Sequence, residues 1–165
     1  MALDDDLTRL ALQEERLQFE QFNAETALAI GLRLKDYIAS LGKKAAIDIQ
    51  LAGHPLFFYA MPGTTPDNVD WIRRKRNVVM RFHKSSYAFA LNVQKNGYSL
   101  FERFGAGADE LALSGGAFPI RLRGSGCVGS IIVSGLPHRD DHGVIVAVLA
   151  EFLGQDIAEL ALDKV

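Results

Sequence analysis

Residues 115–142, GGAFPIRLRGSGCVGSIIVSGLPHRDDH, constrain the fold more than any other part of the chain. Eight glycines and prolines separate two short apolar runs in this stretch. The runs around Ile120 and over residues 127–133 predict two strands joined by a turn at 124–126, because glycine adopts positive φ at little steric cost. Residues 134–137, SGLP, end the second strand, and a helical apolar pattern follows residues 138–142. We expect any binding or active site of this chain in this stretch.

The first half of the chain predicts two helices, a hairpin and a basic helix. Residues 3–15 have amphipathic helical spacing, and Asn23 is a good N-cap for a helix that ends at Gly42 and carries Gly31 on its buried face. Residues 43–51 alternate with a period of two and return through 56–61 after a turn at 52–53. Thr65-Pro66 starts a helix that contains WIRRKRN, and Ser85-Ser86 breaks and recaps it.

Two segments are open to more than one interpretation. Residues 17–22 alternate in part and are expected to be extended, and residues 98–104 fit either a strand or a helix. The order of helix, hairpin, helices, hairpin and helix nevertheless predicts an α+β fold. At 165 residues the chain is expected to form one domain, over residues 1–165.

Charge and cysteine content exclude several classes of protein. A net charge of −2 predicts no general affinity for nucleic acid or for an anionic membrane. No apolar run reaches the roughly 18 residues of a membrane span, and the acidic N-terminus MALDDDLTRL lacks a signal-peptide pattern. The one cysteine, Cys127, lies in an apolar strand, which favours a reducing cytoplasmic location and no reactive thiolate.

The segments WIRRKRN, SS, GGAFPI and VGSIIVSGLPHRDDH resemble uncharacterised protein family 0303 (UPF0303), over roughly residues 24–153. That family is a branch of the haem-degrading-domain superfamily, the GlcG/HbpS-like proteins. The resemblance implies a central antiparallel sheet of about five strands flanked by helices, in a profilin- or PAS-like three-layer arrangement. It also implies assembly into homo-oligomers and a role with haem or another small ligand, and it assigns no haem ligand to a residue of this chain.

The residue types suggest a recess for an acidic ligand between the basic helix and the stretch 115–142. Arginines would hold carboxylates or propionates, and backbone N–H groups of the glycine-rich turns would donate to an anion. The alternatives are a solvated helix face with one arginine packed inward against an acid, and tight turns with no room for side chains. The predicted ligand-binding residues are Arg73, Arg74, Arg76, Gly115, Gly116, Ser134 and Gly135.

The stretch HRDDH offers atoms that bind metals or haem iron. His138, Asp141 and His142 are the candidate metal ligands, with His142 the first choice. A zinc site needs three or four ligands, and His54 and His83 are the only other histidines. Pro137 favours a loop conformation for His138, and acidic residues at this position are also typical of a helix start.

Three functions fit these features. The first is an oligomeric ligand-binding protein, for haem or another acidic ligand, in which His142 or His83 contacts a metal. The second is a non-catalytic scaffold or adaptor that binds another protein. A hydrolase or metalloenzyme ranks last because no catalytic motif is present, so no catalytic residue is assigned and the question of enzymatic activity stays open.

Overall fold

A computed structural model describes residues 2–164 of the chain. The helices, in chain order, are α1 (Ala2–Arg16), α2 (Ala24–Ser40), α3 (Pro66–Phe82), α4 (Ser86–Asn96), α5 (Leu100–Phe104), α6 (His138–Phe152) and α7 (Ile157–Leu160). The strands are β1 (Ala46–Leu51), β2 (His54–Ala60), β3 (Ala117–Leu122) and β4 (Gly126–Ser134). Among the described helices, none combines the length and apolar character that a membrane span requires.

Local signals in the sequence set the starts of the helices. The Asn23 side chain accepts a hydrogen bond from the backbone N–H of Thr26 at 3.1 Å and caps α2. Pro66 is the first residue of α3, where its fixed φ suits a helix and its missing N–H has no cost. The Ser85 hydroxyl accepts from the Ala88 N–H at 3.1 Å and recaps the chain as α4. The predicted break between α3 and α4 is therefore present, and the Ser85 cap causes it, as expected.

The sheet has four strands, in the order β2-β1-β4-β3, and every neighbouring pair is antiparallel. Both predicted hairpins are present, but the expectation of about five strands is wrong by one. The ambiguous segment 98–104 forms α5, because the Ser99 side chain caps a short helix there. The partly alternating segment 17–22 contributes one isolated bridge, between Phe19 and Leu122.

The sheet is the middle of three layers, as the resemblance implied. On one face, α2 and α6 cover a large apolar core that contains Ile47, Ile49, Phe118 and Ile131. On the other face, α3 packs mainly on β4 and β3 through a smaller core. The last strand pair therefore lies between α3 and α6, and this arrangement positions the residues described below.

Gly31 is the point where α2 approaches the sheet most closely, as its place in the sequence predicted. A Cβ atom at this position would lie 2.5 Å from the aromatic ring of Phe57. We therefore expect Gly31→Ala to lower the free energy of unfolding by about 1–3 kcal/mol, even though alanine is the better helix former by about 1 kcal/mol. Gly143→Ala is the matched control, because a Cβ on Gly143 in α6 meets nothing within 4 Å and should stabilise the protein. Urea denaturation of both variants measures the difference, and equal effects would contradict the close contact.

Candidate functional site

The first turn of α6 is the most polar part of the core. Asp141 is buried there, and its carboxylate accepts hydrogen bonds from the backbone N–H of Leu136 at 2.8 Å and of Gly135 at 3.4 Å. The same carboxylate lies 3.0 Å from the ammonium of Lys75, which is also buried. Burial raises the pKa of the Asp141 carboxyl and lowers the pKa of the Lys75 ammonium. The pair joins the basic helix to the start of α6.

Lys75 fills the space that was predicted to be a ligand recess. Its Nζ atom donates to the backbone oxygen of Val133 at 2.9 Å. A Cβ atom on Gly116 would lie 2.6 Å from this Nζ and 2.5 Å from the Val133 oxygen. Gly116 also has φ +123, a conformation that favours glycine. The basic helix and the last hairpin do converge, but a side-chain ion pair occupies the space between them.

The three predicted arginines point away from this ion pair. Arg73 and Arg74 both bind Asp70, and the Arg74 guanidinium stacks 3.8 Å from the Trp71 ring. Arg73 also donates to the backbone oxygen of Asp109, and Arg74 donates to that of Ala108. Both arginines therefore hold the segment 105–114 against α3. Arg76 donates to the buried Asp48 at 3.0 Å and is thus the arginine that packs against an acid. The only fully buried cation of the run is Lys75.

Gly115 and Gly135 lie in tight turns close to the start of α6, and Ser134 is the last residue of β4. A Cβ atom on Gly115 would lie 2.4 Å from the backbone oxygen of His138, and one on Gly135 would lie 2.5 Å from that of Lys44. Ser134 accepts from the Asn68 side chain at 3.3 Å. At Gly115 and Gly135, neighbouring backbone atoms leave no room for a side chain. Their backbone N–H groups, which were predicted to donate to a ligand, face other atoms of the protein.

His142 is fully buried, and its hydrogen bonds fix its tautomer. Its Nε2 lies 2.7 Å from one of the two terminal atoms of the Gln13 side chain. That atom is the amide oxygen, because the Gln13 amide nitrogen donates to the Leu160 backbone oxygen at 2.7 Å. Nε2 of His142 is therefore the donor, and Nδ1 is buried without a partner among the described residues. Burial, with a smaller effect of Arg139, lowers the pKa of His142 to about 3. Gln13 carries no sequence signal for this role.

His138 begins α6, so the expectation that it lies in a loop is wrong. Pro137 occupies the cap position immediately before the helix, which a proline tolerates well. The His138 ring is exposed, with Nδ1 3.4 Å from the Gly115 N–H and an edge-on contact to Tyr87. Within residues 2–164, no three histidine, cysteine, aspartate or glutamate side chains come together in a geometry that holds a metal ion.

An open cleft of about 650 Å³ lies where α1 faces the α3–α4 junction, and we call it the α1–α4 cleft. Its polar side chains are Glu14, His83, Lys84, Asn92 and Arg121, and its apolar ones are Leu7, Ala11, Phe82 and Ala88. A lining that combines apolar side chains with the cations Lys84 and Arg121 suits a ligand that has an apolar body and acidic groups.

Glu14 and Arg121 form the buried side of the α1–α4 cleft. Glu14 accepts from Arg121 at 3.1 Å and from the Ser85 N–H at 3.2 Å, and burial raises its pKa. Arg121 also donates to the backbone oxygen of His83, but its buried Nε has no acceptor among the described residues.

His83 places an exposed imidazole in the α1–α4 cleft. It ends α3 in the left-handed conformation, with φ 57, which is unusual for a residue other than glycine. Strained backbone of this kind occurs often at ligand sites. His83 was predicted, as an alternative to His142, to contact a metal, but no local pattern predicts a left-handed histidine.

A second cleft of about 750 Å³ lies between α2, α6 and α7. Arg139 lines it, but that guanidinium already binds Asp6, Tyr87 and the backbone oxygen of Asp163. His142 also lines this cleft, but its Nε2 is hydrogen-bonded to Gln13. Tyr37, Lys43 and Asp140 also line the second cleft, but the histidine among its lining residues, His142, is buried, so this cleft offers no exposed imidazole.

The family model of the haem-degrading HbpS-like proteins matches residues 22–150. The chain belongs to this family, as its sequence resemblance indicated. The crystal structure of Ybr137w protein is similar, with a TM-score of 0.82 and 30% identity over 90% of this chain and 87% of that chain. A structure of a PduOC–haem complex shares the fold, with a TM-score of 0.66 and 14% identity over 78% and 93%.

Within that class the chain is a member of the UPF0303 proteins. It is 52% identical to the UPF0303 protein of Azotobacter vinelandii over 164 residues, which is 99% of both chains. It is 51% identical to the UPF0303 protein of Serratia proteamaculans over 154 residues, 93% of this chain and 96% of the relative. Helix α1, which supplies one wall of the α1–α4 cleft, lies outside the segment that the HbpS-like model matches.

Proposed function

We propose that this protein is a homo-oligomeric ligand-binding protein that holds haem, or another flat acidic molecule, in the α1–α4 cleft. The observation that carries the proposal is the exposed His83 imidazole beside an apolar wall and the cations Lys84 and Arg121. Membership of the HbpS-like family and the haem complex of PduOC support haem as the first ligand to test.

Each group in the cleft has a defined task in this proposal. His83 would ligate the iron, and the apolar side chains of Leu7, Ala11 and Phe82 would contact the ring. Lys84 and Arg121 would attract the acidic groups of the ligand by their positive charge. His142 is excluded from direct ligation here, since its ring is buried and bonded to Gln13.

Replacing His83 by glycine is expected to abolish a saturable Soret shift on haemin titration, with no loss of stability. Glycine adopts φ 57 without the strain of about 1 kcal/mol that a histidine has there, so the variant should unfold at equal or higher urea concentration. A lost spectrum would then report the missing imidazole and not a damaged fold.

Two further histidine variants serve as controls. His54→Gln changes an exposed histidine on β2 and should bind haemin as the wild type does. His138→Ala tests the α6 turn, and loss of binding there with a normal His83→Gly titration would place the ligand outside the α1–α4 cleft. A wild-type protein that shows no saturable shift would exclude haem.

A further inference from the structure

The sheet has one covered edge and one open edge. At β3, the Phe19 N–H donates to the Arg121 oxygen at 2.8 Å, and the Arg123 N–H donates to the Phe19 oxygen at 2.9 Å. Residues 17–22 thus cover part of this edge. At the opposite edge, β2 pairs with β1 on its inner side, and no other strand within residues 2–164 pairs with its outer side.

The register identifies the backbone groups that β2 directs outward. The Met61 N–H donates to the Ala45 oxygen at 3.1 Å, so this pair exchanges hydrogen bonds with the inner strand. Backbone groups alternate in direction along an antiparallel strand. Phe58 and Ala60 therefore point their N–H and C=O groups away from β1, toward a potential further strand.

Residues 57–60 of β2 leave this edge open. Pro55 and the register shift beside it interrupt pairing at the start of the strand, but residues 57–60, FFYA, contain no lysine, acidic residue or proline that would keep an edge strand from pairing. Phe58 is 49% exposed and Tyr59 is 37% exposed, on opposite faces of the strand. Exposed aromatic residues on both faces are typical of a strand that is covered in an assembly.

Helix α2 extends the apolar surface beside β2. Gly31 contacts Phe57, so its side of α2 faces β2. The Arg33 guanidinium lies 5.2 Å from the Phe152 ring, so its side of α2 faces α6. At about 100° per residue, Leu28 and Leu32 fall on the β2 side of the helix, and each is 45% exposed. We call Leu28, Leu32, Phe58 and Tyr59 the β2 surface.

We propose that the β2 surface binds a second copy of this chain, with the two β2 strands antiparallel about a two-fold axis. The strand is self-complementary, because the outward groups of Phe58 and Ala60 in one copy match those of the other. No charged side chain of β2 opposes its counterpart, and the exposed leucines and aromatic rings of the two copies would exclude water from the new hydrogen bonds. The two sheets would form one sheet of eight strands. The inference deepens the homo-oligomer part of the proposed function and does not depend on the ligand.

The test is the concentration dependence of the sedimentation coefficient for the full chain. Phe58→Lys places like charges opposite each other at the centre of the interface, and Leu32→Lys does so beside it. We expect each variant to raise the dissociation constant of the dimer by at least about thirtyfold, the effect of losing a central apolar anchor. Phe101→Lys is the matched control, since Phe101 is 71% exposed on α5, outside the β2 surface, and should leave the constant unchanged.

The outcomes separate the two levels of the proposal. A wild-type chain that stays monomeric at high concentration overturns both the homo-oligomer and its surface, and would leave the edge open for a strand of another protein. A wild-type oligomer that Phe58→Lys and Leu32→Lys do not weaken refutes the β2 surface alone. Weakening by both variants, with Phe101→Lys unaffected, supports the pairing.

Discussion

Replacing Lys75 by methionine is expected to lower the free energy of unfolding by about 3–5 kcal/mol, the range measured when one partner of a buried ion pair is removed. The variant leaves the Asp141 carboxylate buried without its cation, and the Val133 oxygen without the ammonium donor. Urea denaturation, followed by the fluorescence of Trp71, measures the loss. Arg73→Met is the control from the same helix, because its ion pairs are exposed and screened by solvent, and their loss should change the free energy of unfolding far less.

A second variant shows that the loss comes from the charge. Lys75→Met/Asp141→Asn removes both charges and keeps an oxygen that accepts from the Leu136 N–H, so it should recover at least half of the lost stability. The single variant should also gain stability relative to the wild type as the pH falls, because burial raises the pKa of Asp141 and protonation removes the unpaired charge. A double variant no more stable than Lys75→Met would contradict a charged pair.

The second large effect is acid destabilisation through His142. Its pKa falls from 6.5 in the unfolded chain to about 3 in the buried site, so the folded state binds fewer protons below pH 6.5. The stability that this neutral histidine contributes is complete above pH 6.5 and is lost as the pH falls toward 3. Between pH 7.5 and 5, we expect His142 to account for a loss of about 2 kcal/mol in the free energy of unfolding.

His142→Gln isolates this contribution. Glutamine keeps a donor for Gln13 without a proton to titrate, so the difference between wild type and variant should shrink by about 2 kcal/mol over that range. The comparison is needed because burial also lowers the pKa of His138, which adds to the acid loss, and raises those of Glu14 and Asp141, which oppose it. His54→Gln, at an exposed histidine, should retain the wild-type slope, and an unchanged slope in His142→Gln would refute a neutral buried imidazole.

The elements that sequence patterns placed correctly are those with strong local signals. Asn23, Pro66 and Ser85 mark helix starts by their own chemistry, and the period-two run at β1 and the apolar run at β4 mark strands that are buried on both faces of the sheet. Residues 98–104, which fitted either a strand or a helix, form the short helix α5 over residues 100–104 with a serine cap. Propensity alone does not decide such a segment.

The candidate site was harder to predict because it depends on contacts between distant segments. The helical spacing could have identified Lys75 as the cation of the basic run that points inward. It follows Ile72 by three residues and precedes Val79 by four, and all three are buried. Its partner Asp141 is 66 residues away, and no local pattern joins them. The same holds for Gln13 with His142 and for Glu14 with Arg121, which α1 brings to α6 and β3.

The hydrogen bonds that hold residues 108–110 against α3 are made largely to main chain. Arg73 donates to the backbone oxygen of Asp109, Arg74 to that of Ala108 and Asn77 to that of Glu110, whose carboxylate also accepts from Arg73 and Asn77. Carbonyl oxygens are present whatever residue occupies a position, so the anchoring of these three exposed positions is largely indifferent to their side chains. Leu111 and Ala112, which follow them, are buried, so this indifference to residue type ends at the core.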